Sequence, residues 1–169
     1  CLPSEGLYLR DGRLASEFFG ATAETGADGR FELSPESPPF SLVVLTEGGC
    51  ALVPGEQAAA DMTIRVAPWA SLQGRIRYGE SVIAERAFRL ALSFQMEGVT
   101  VPLFEYQGRT DEAGNYRIGN LPPVECRALV DIAMPDGSGF QWPSEPLVLQ
   151  PGEEARADIG GVGRAVTGA

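Results

Sequence analysis

The chain has 169 residues, enough for one domain or two small ones, and carries a net charge of −10 from 13 basic and 23 acidic residues. That charge repels nucleic acid and anionic lipid, so neither is an expected partner, and no apolar run is long enough to suggest a membrane span. All the basic residues are arginine; with no lysine and no histidine, the usual general bases and the commonest metal ligand are missing.

Period-two alternation of apolar and polar residues predicts strands throughout, and no long helical face is present. The first two, 7–10 and 13–18, meet at Leu9-Arg10-Asp11-Gly12-Arg13-Leu14, which reads as a hairpin with Asp11-Gly12 as a two-residue turn. Strands at 41–45, 62–66 and 72–78 follow. At 88–94, Phe88, Leu90, Leu92 and Phe94 alternate with Arg89, Ala91 and Ser93. Strands at 107–110 and 116–118 precede 126–132, where Cys126, Ala128, Val130 and Ile132 form one face; 147–149 and 155–159 complete the series. The 21 glycines and 13 prolines between these segments suit turns between many short strands, so an antiparallel sandwich is the expected fold.

One phrase occurs twice. Thr25-Gly26-Ala27-Asp28-Gly29-Arg30-Phe31-Glu32-Leu33 returns 85 residues later as Thr110-Asp111-Glu112-Ala113-Gly114-Asn115-Tyr116-Arg117-Ile118, and Pro38-Pro39 is echoed by Pro122-Pro123. In each copy a strand is expected to end at the threonine, turn through Asp28-Gly29 or Asp111 to Gly114, and return into the strand bearing Phe31 or Tyr116, with the glycine supplying positive φ. The duplication predicts two tandem Ig-like or prealbumin-like antiparallel β-sandwich modules, over 1–60 and 61–159. Gly74-Arg75-Ile76 opens the second module 36 residues before Thr110; the counterpart in the first would fall upstream of Cys1, so the first module is expected to lack its opening strand. Residues 160–169 read as a linker or the first strand of a following module, which implies a segment of a longer array.

The opening Gly74-Arg75-Ile76 strand, the Thr110–Ile118 hairpin and the following Asn120-Leu121-Pro122-Pro123 loop resemble the carboxypeptidase regulatory-like domains, the transthyretin-like sandwiches related to collagen-adhesin B-type modules. Gly161-Val162-Gly163-Arg164-Ala165-Val166 is similar to the strand entrance of that family, with Ala165 where proline is usual. The resemblance implies seven-stranded sandwiches with no catalysis of their own, in secreted or envelope-associated bacterial proteins, whose partners are neighbouring modules. A lysine–asparagine isopeptide crosslink, found in collagen-adhesin modules, is ruled out by the absence of lysine.

The residues themselves offer few reactive sets. Serine, cysteine or threonine nucleophiles lack their usual base, so no enzyme is expected and no catalytic residue is assigned. Cys1, Cys50 and Cys126 show no metal or redox spacing; Cys50 and Cys126 read as small buried apolar residues, with a disulfide as the alternative. Asp28, Asp111 to Asn115 and Asp136 supply hard oxygen donors, yet without the ligand ladder of a calcium loop, so they read as turn residues and no metal or other cofactor is expected. Trp69, Tyr78, Phe104, Tyr106, Phe140 and Trp142 are candidate sugar platforms. Trp69, just before the opening strand, is also placed to seal the junction between modules. Trp142, on an expected long loop, with Phe140 and Tyr106 forms the alternative function, a carbohydrate-binding module. Val162, Arg164 and Val166 could add to the sheet edge left open in the first module of a neighbouring copy, giving self-association by strand exchange.

Overall fold

The computed structural model describes residues 9–10, 12–14, 21–34, 40–93, 104–133 and 139–161. Its strands are β1 (Leu9–Arg10), β2 (Arg13–Leu14), β3 (Ser41–Thr46), β4 (Gly49–Pro54), β5 (Ala67–Pro68), β6 (Ala70–Tyr78), β7 (Ser81–Val82), β8 (Ala87–Ser93), β9 (Phe104–Arg109), β10 (Asn115–Leu121), β11 (Glu125–Ala133), β12 (Gly139–Pro143), β13 (Leu147–Val148), β14 (Glu154–Arg156) and β15 (Ile159–Gly161). A single 3₁₀ turn, Gly55–Gln57, is the only helical element among the described residues.

The alternation read in the sequence builds two facing sheets. In the first, β6 is central: β10 and β7 pair with it antiparallel on one side, and β14 and β15 run parallel to it on the other. The second has the order β12-β11-β8-β9, all antiparallel, with β13 also on β11. Leu72 and Ile76 of β6 and Tyr116, Ile118 and Leu121 of β10 meet Phe88, Leu90 and Leu92 of β8, Phe104 and Tyr106 of β9, and Ala128, Val130 and Ile132 of β11 in one core. Phe88 and Tyr116 touch edge to face across it, centroids 5.5 Å apart, the geometry that the ring quadrupoles favour.

The N-terminal segments attach to this core. β3, β4 and β5 form a separate antiparallel sheet, and Val43, Leu45 and Leu52 pack from it against the core cluster. β1 and β2 form the expected hairpin, Leu9 opposite Leu14 and Arg10 opposite Arg13, with Gly12 at φ +75°. A side chain at Gly12 would lie 3.1 Å from Asn120 Cβ and 3.3 Å from Trp69 Cζ2, so this turn sits against the sandwich.

Four expectations need correction. Residues 21–34 contain the turn of the first phrase but no strand on either arm. A two-stranded hairpin is marginal alone, and whereas the arms of the second copy pair with β6 and β8, those of the first pair with no strand among the described residues. The strand expected at 62–66 is absent, and the chain joins β4 only at Ala67–Pro68. Trp142 lies on β12, opposite Val130 of β11, not on a long loop; glycine and proline at the two ends of an edge strand had the look of loop punctuation. β4 had no counterpart in the sequence reading for the same reason, since Gly49 and Pro54 bound it.

Candidate functional site

The repeated phrase makes the same turn twice. Gly26 N–H donates to Arg30 O and Gly29 N–H to Gly26 O, both at 2.9 Å; at the equivalent positions Asp111 N–H donates to Asn115 O at 2.9 Å and Gly114 N–H to Asp111 O at 3.0 Å. Gly29 and Gly114 have φ of +75° and +74°, the left-handed region in which glycine is unstrained. Both turn aspartates serve the backbone from different positions. Asp28 Oδ1 accepts Arg30 N–H, whereas Asp111 Oδ1 accepts Ala113 and Asn115 N–H and its Oδ2 accepts the Asn115 side-chain amide. These bonds, with the Asn115 side-chain amide foremost and the Arg75 charge adding to them, lower the Asp111 pKa against an opposing effect of desolvation.

Only the second copy is built into a sheet. Thr110 is buried, its Oγ1 accepts Arg86 N–H at 3.0 Å, and its own N–H donates to Arg86 O at 2.9 Å, which explains a threonine at the head of the phrase. Ile76 N–H donates to Gly114 O, and the Tyr116 hydroxyl donates to Ala157 O at 2.8 Å, so the turn is bound to β6 and to the β14–β15 connection. Burial, and secondarily Asp158, raises the Tyr116 pKa. Phe31, the counterpart of Tyr116, is exposed.

Tyr106 and Phe140 are not brought together, and Phe140 instead meets Tyr78. Tyr106 is 1% exposed on β9, and its hydroxyl donates to Asn120 O at 2.9 Å, so its ring belongs to the core and offers no face to a sugar. Phe104 is likewise buried. Phe140 lies on β12, at the other edge of the same sheet, where its ring meets that of Tyr78 with centroids 4.7 Å apart. Tyr78 keeps 49% of its surface exposed. Trp69 bridges separate segments: its Nε1 donates to Thr46 O at 3.1 Å while its ring neighbours Gly12. Cys50 and Cys126 are free and buried, and burial raises each thiol to about 11, with Glu125 adding to the effect at Cys126. No group of three or more potential metal ligands occurs among the described residues. Val162, Arg164 and Val166 lie outside them.

One feature was missed. Leu72, Gly74 and Ile76 face the core, which leaves Gln73, Arg75 and Arg77 on the outer face of β6. The exposed residues of β10 and β14 add Arg117 and Arg156 to that sheet. Arg75, Arg77 and Arg156 line an open groove together with Glu80, Asp158 and Gly79, Gly160 and Gly161. Arg117 pairs with Glu154 at 2.5 Å, Arg156 approaches Asp158 at 4.0 Å, and Arg75 Nε donates to the uncharged Asn115 Oδ1. The alternation on β6 was legible; the parallel return that places Arg156 beside it was not.

No protein-family model and no curated protein matches this chain.

Proposed function

We propose that this chain is a non-catalytic structural and interaction segment of a larger extracellular or envelope-associated protein. On this reading, residues 61–159 form one module of the carboxypeptidase regulatory-like kind, and 1–60 are part of a sister module. The observation that carries it is the duplicated turn, reproduced bond for bond at Gly26–Arg30 and Asp111–Asn115. A re-used piece of architecture, with no reactive group common to the two copies beyond the turn itself, fits a tandem structural array.

The fates of the other candidate groups support the same reading. The hydroxyls of Thr110, Tyr106 and Tyr116, the indole of Trp69 and the thiols of Cys50 and Cys126 are all committed to hydrogen bonds or burial within the fold. The partners of such a segment are its neighbouring modules.

The Tyr78–Phe140 pair favours a second reading, a carbohydrate-binding module whose platform is Phe140 with Tyr78. A glycan panel separates the two. The structural reading expects no retained glycan. Binding that disappears in both Tyr78→Ala and Phe140→Ala would replace it with the carbohydrate reading.

A further inference from the structure

The groove on the outer face of β6 is out of character with the chain that carries it. Overall the charge is −10, yet four of the 13 arginines, Arg75, Arg77, Arg117 and Arg156, stand on one sheet face. Arg117 is matched by Glu154, and Asp158 is shared: its Oδ1 accepts the Arg75 backbone N–H at 3.0 Å while standing 4.0 Å from Arg156 Nε. Arg75 and Arg77, two residues apart on one strand, are spaced about 6.6 Å along it. With Arg156 they outnumber Glu80 and Asp158 in the groove, which leaves it net positive, and their planar guanidinium groups can receive carboxylates in bidentate fashion.

The same chain presents a matching element. Residues 21–34 are exposed, apart from half-buried Leu33, and have no strand partner among the described residues. Their turn is nevertheless preformed, closed by the hydrogen bond between Gly26 N–H and Arg30 O. Glu24 lies two residues before that closure and Glu32 two residues after it, and both are exposed. Asp28 accepts the Arg30 N–H and stands 3.7 Å from the Arg30 guanidinium in an exposed pair, so Glu24 and Glu32 are the turn's acidic charges outside that pair.

We propose that the Arg75–Arg77–Arg156 groove is the docking surface for the Glu24/Glu32 turn of a second copy of this chain. The contact is heterologous, because groove and turn are different surfaces of each protomer, so it propagates head to tail. It deepens the modular reading, on which it rests, by naming the surfaces through which one copy engages the next. Long-range repulsion between two acidic chains opposes the encounter, so local complementarity must hold the complex; charge reversal is therefore a cleaner probe than salt.

The test is sedimentation velocity on the full chain from about 10 μM to about 1 mM. The wild type is expected to self-associate reversibly. The groove variant Arg77→Glu/Arg156→Glu and the turn variant Glu24→Arg/Glu32→Arg, all at exposed positions, should each weaken association at least tenfold with an unchanged urea midpoint. An equimolar mixture of the two variants should restore association, since each offers the other an intact complement. A wild type that stays monomeric, a groove variant that still associates, or a mixture that does not recover would overturn the docking. So would a monomeric wild type that binds polygalacturonate through Arg77 and Arg156, which assigns the groove to an acidic glycan. The sedimentation outcomes leave the structural reading untouched, because it is tested by the glycan panel; retention of polygalacturonate would count against both the docking and the structural reading.

Discussion

Gly74→Ala is the sharpest perturbation of the sandwich. A Cβ at this position would lie 1.8 Å from Ala157 O and 2.6 Å from its carbonyl carbon, with Tyr116 Cε1 at 3.1 Å. The obstacle is backbone and cannot rotate aside. Moving Ala157 away strains two hydrogen bonds at once, Ala157 N–H to Gln73 O at 2.9 Å and the Tyr116 hydroxyl to Ala157 O at 2.8 Å. Overpacking costs about 1–3 kcal/mol and each net hydrogen bond about 1 kcal/mol, so the expected loss is about 3–5 kcal/mol. In a chain of this size that corresponds to a fall in Tm of roughly 6–20 °C. Urea and thermal unfolding measure it, with Gly119→Ala as the control, because nothing lies within 4 Å of a Cβ there. If Gly74→Ala unfolds within about 0.5 kcal/mol of the wild type, below the ordinary cost of a core mutation, the parallel packing of β14 and β15 on β6 is wrong.

The two turn glycines should respond differently to alanine. Both pay a left-handed backbone cost of about 1 kcal/mol locally, but only at Gly114 does the new methyl meet Val82 Cβ at 3.0 Å and the Ile76 carbonyl at 3.3 Å, so global unfolding should shift for Gly114→Ala and stay in place for Gly29→Ala. Thr110→Val keeps the shape and removes the acceptor for Arg86 N–H; denaturant titration should register a loss of about 1–3 kcal/mol. Cys50 and Cys126, held at about 11 when folded against an ordinary 9.0, are more readily ionised in the unfolded chain. Their contribution is therefore complete below pH 9 and is lost as pH rises towards 11, by about 2–3 kcal/mol per thiol at most. Urea midpoints measured across that window should fall, and the fall should flatten in Cys50→Ala/Cys126→Ala.

The fold was legible where one face of a strand is buried. At 72–76, 88–92 and 126–132 strict alternation translated directly into core and solvent faces. The same rule, carried back through Glu105, Tyr106 and Gln107 to Phe104, places Tyr106 inward with Phe104. A strand taken to start at 107 left it outside and made it a sugar platform. β4 and β12 escaped notice because glycine and proline at their ends have the same signature as a loop, and only a neighbouring strand distinguishes the two. The turn glycines were readable because positive φ is a local demand. What surrounds them is not local, and two nearly identical phrases therefore received the same reading although only one has β6 and β8 beside it. The arginine groove combines both cases: Arg75 and Arg77 share a face by counting, while Arg156 reaches it through the close approach that Gly74 permits.

The most direct measurement is native-state amide hydrogen exchange at the two turns. Gly26 and Gly29 make the same backbone hydrogen bonds as Asp111 and Gly114, so local geometry alone would protect them equally. If the structural core is the sandwich around β6, exchange at Asp111 and Gly114 requires opening of that sandwich, whereas Gly26 and Gly29 in the monomer exchange close to the rate of an open chain. Equal, strong protection at all four amides in the monomer would contradict the account, because residues 21–34 have no strand or sheet to shield the first turn.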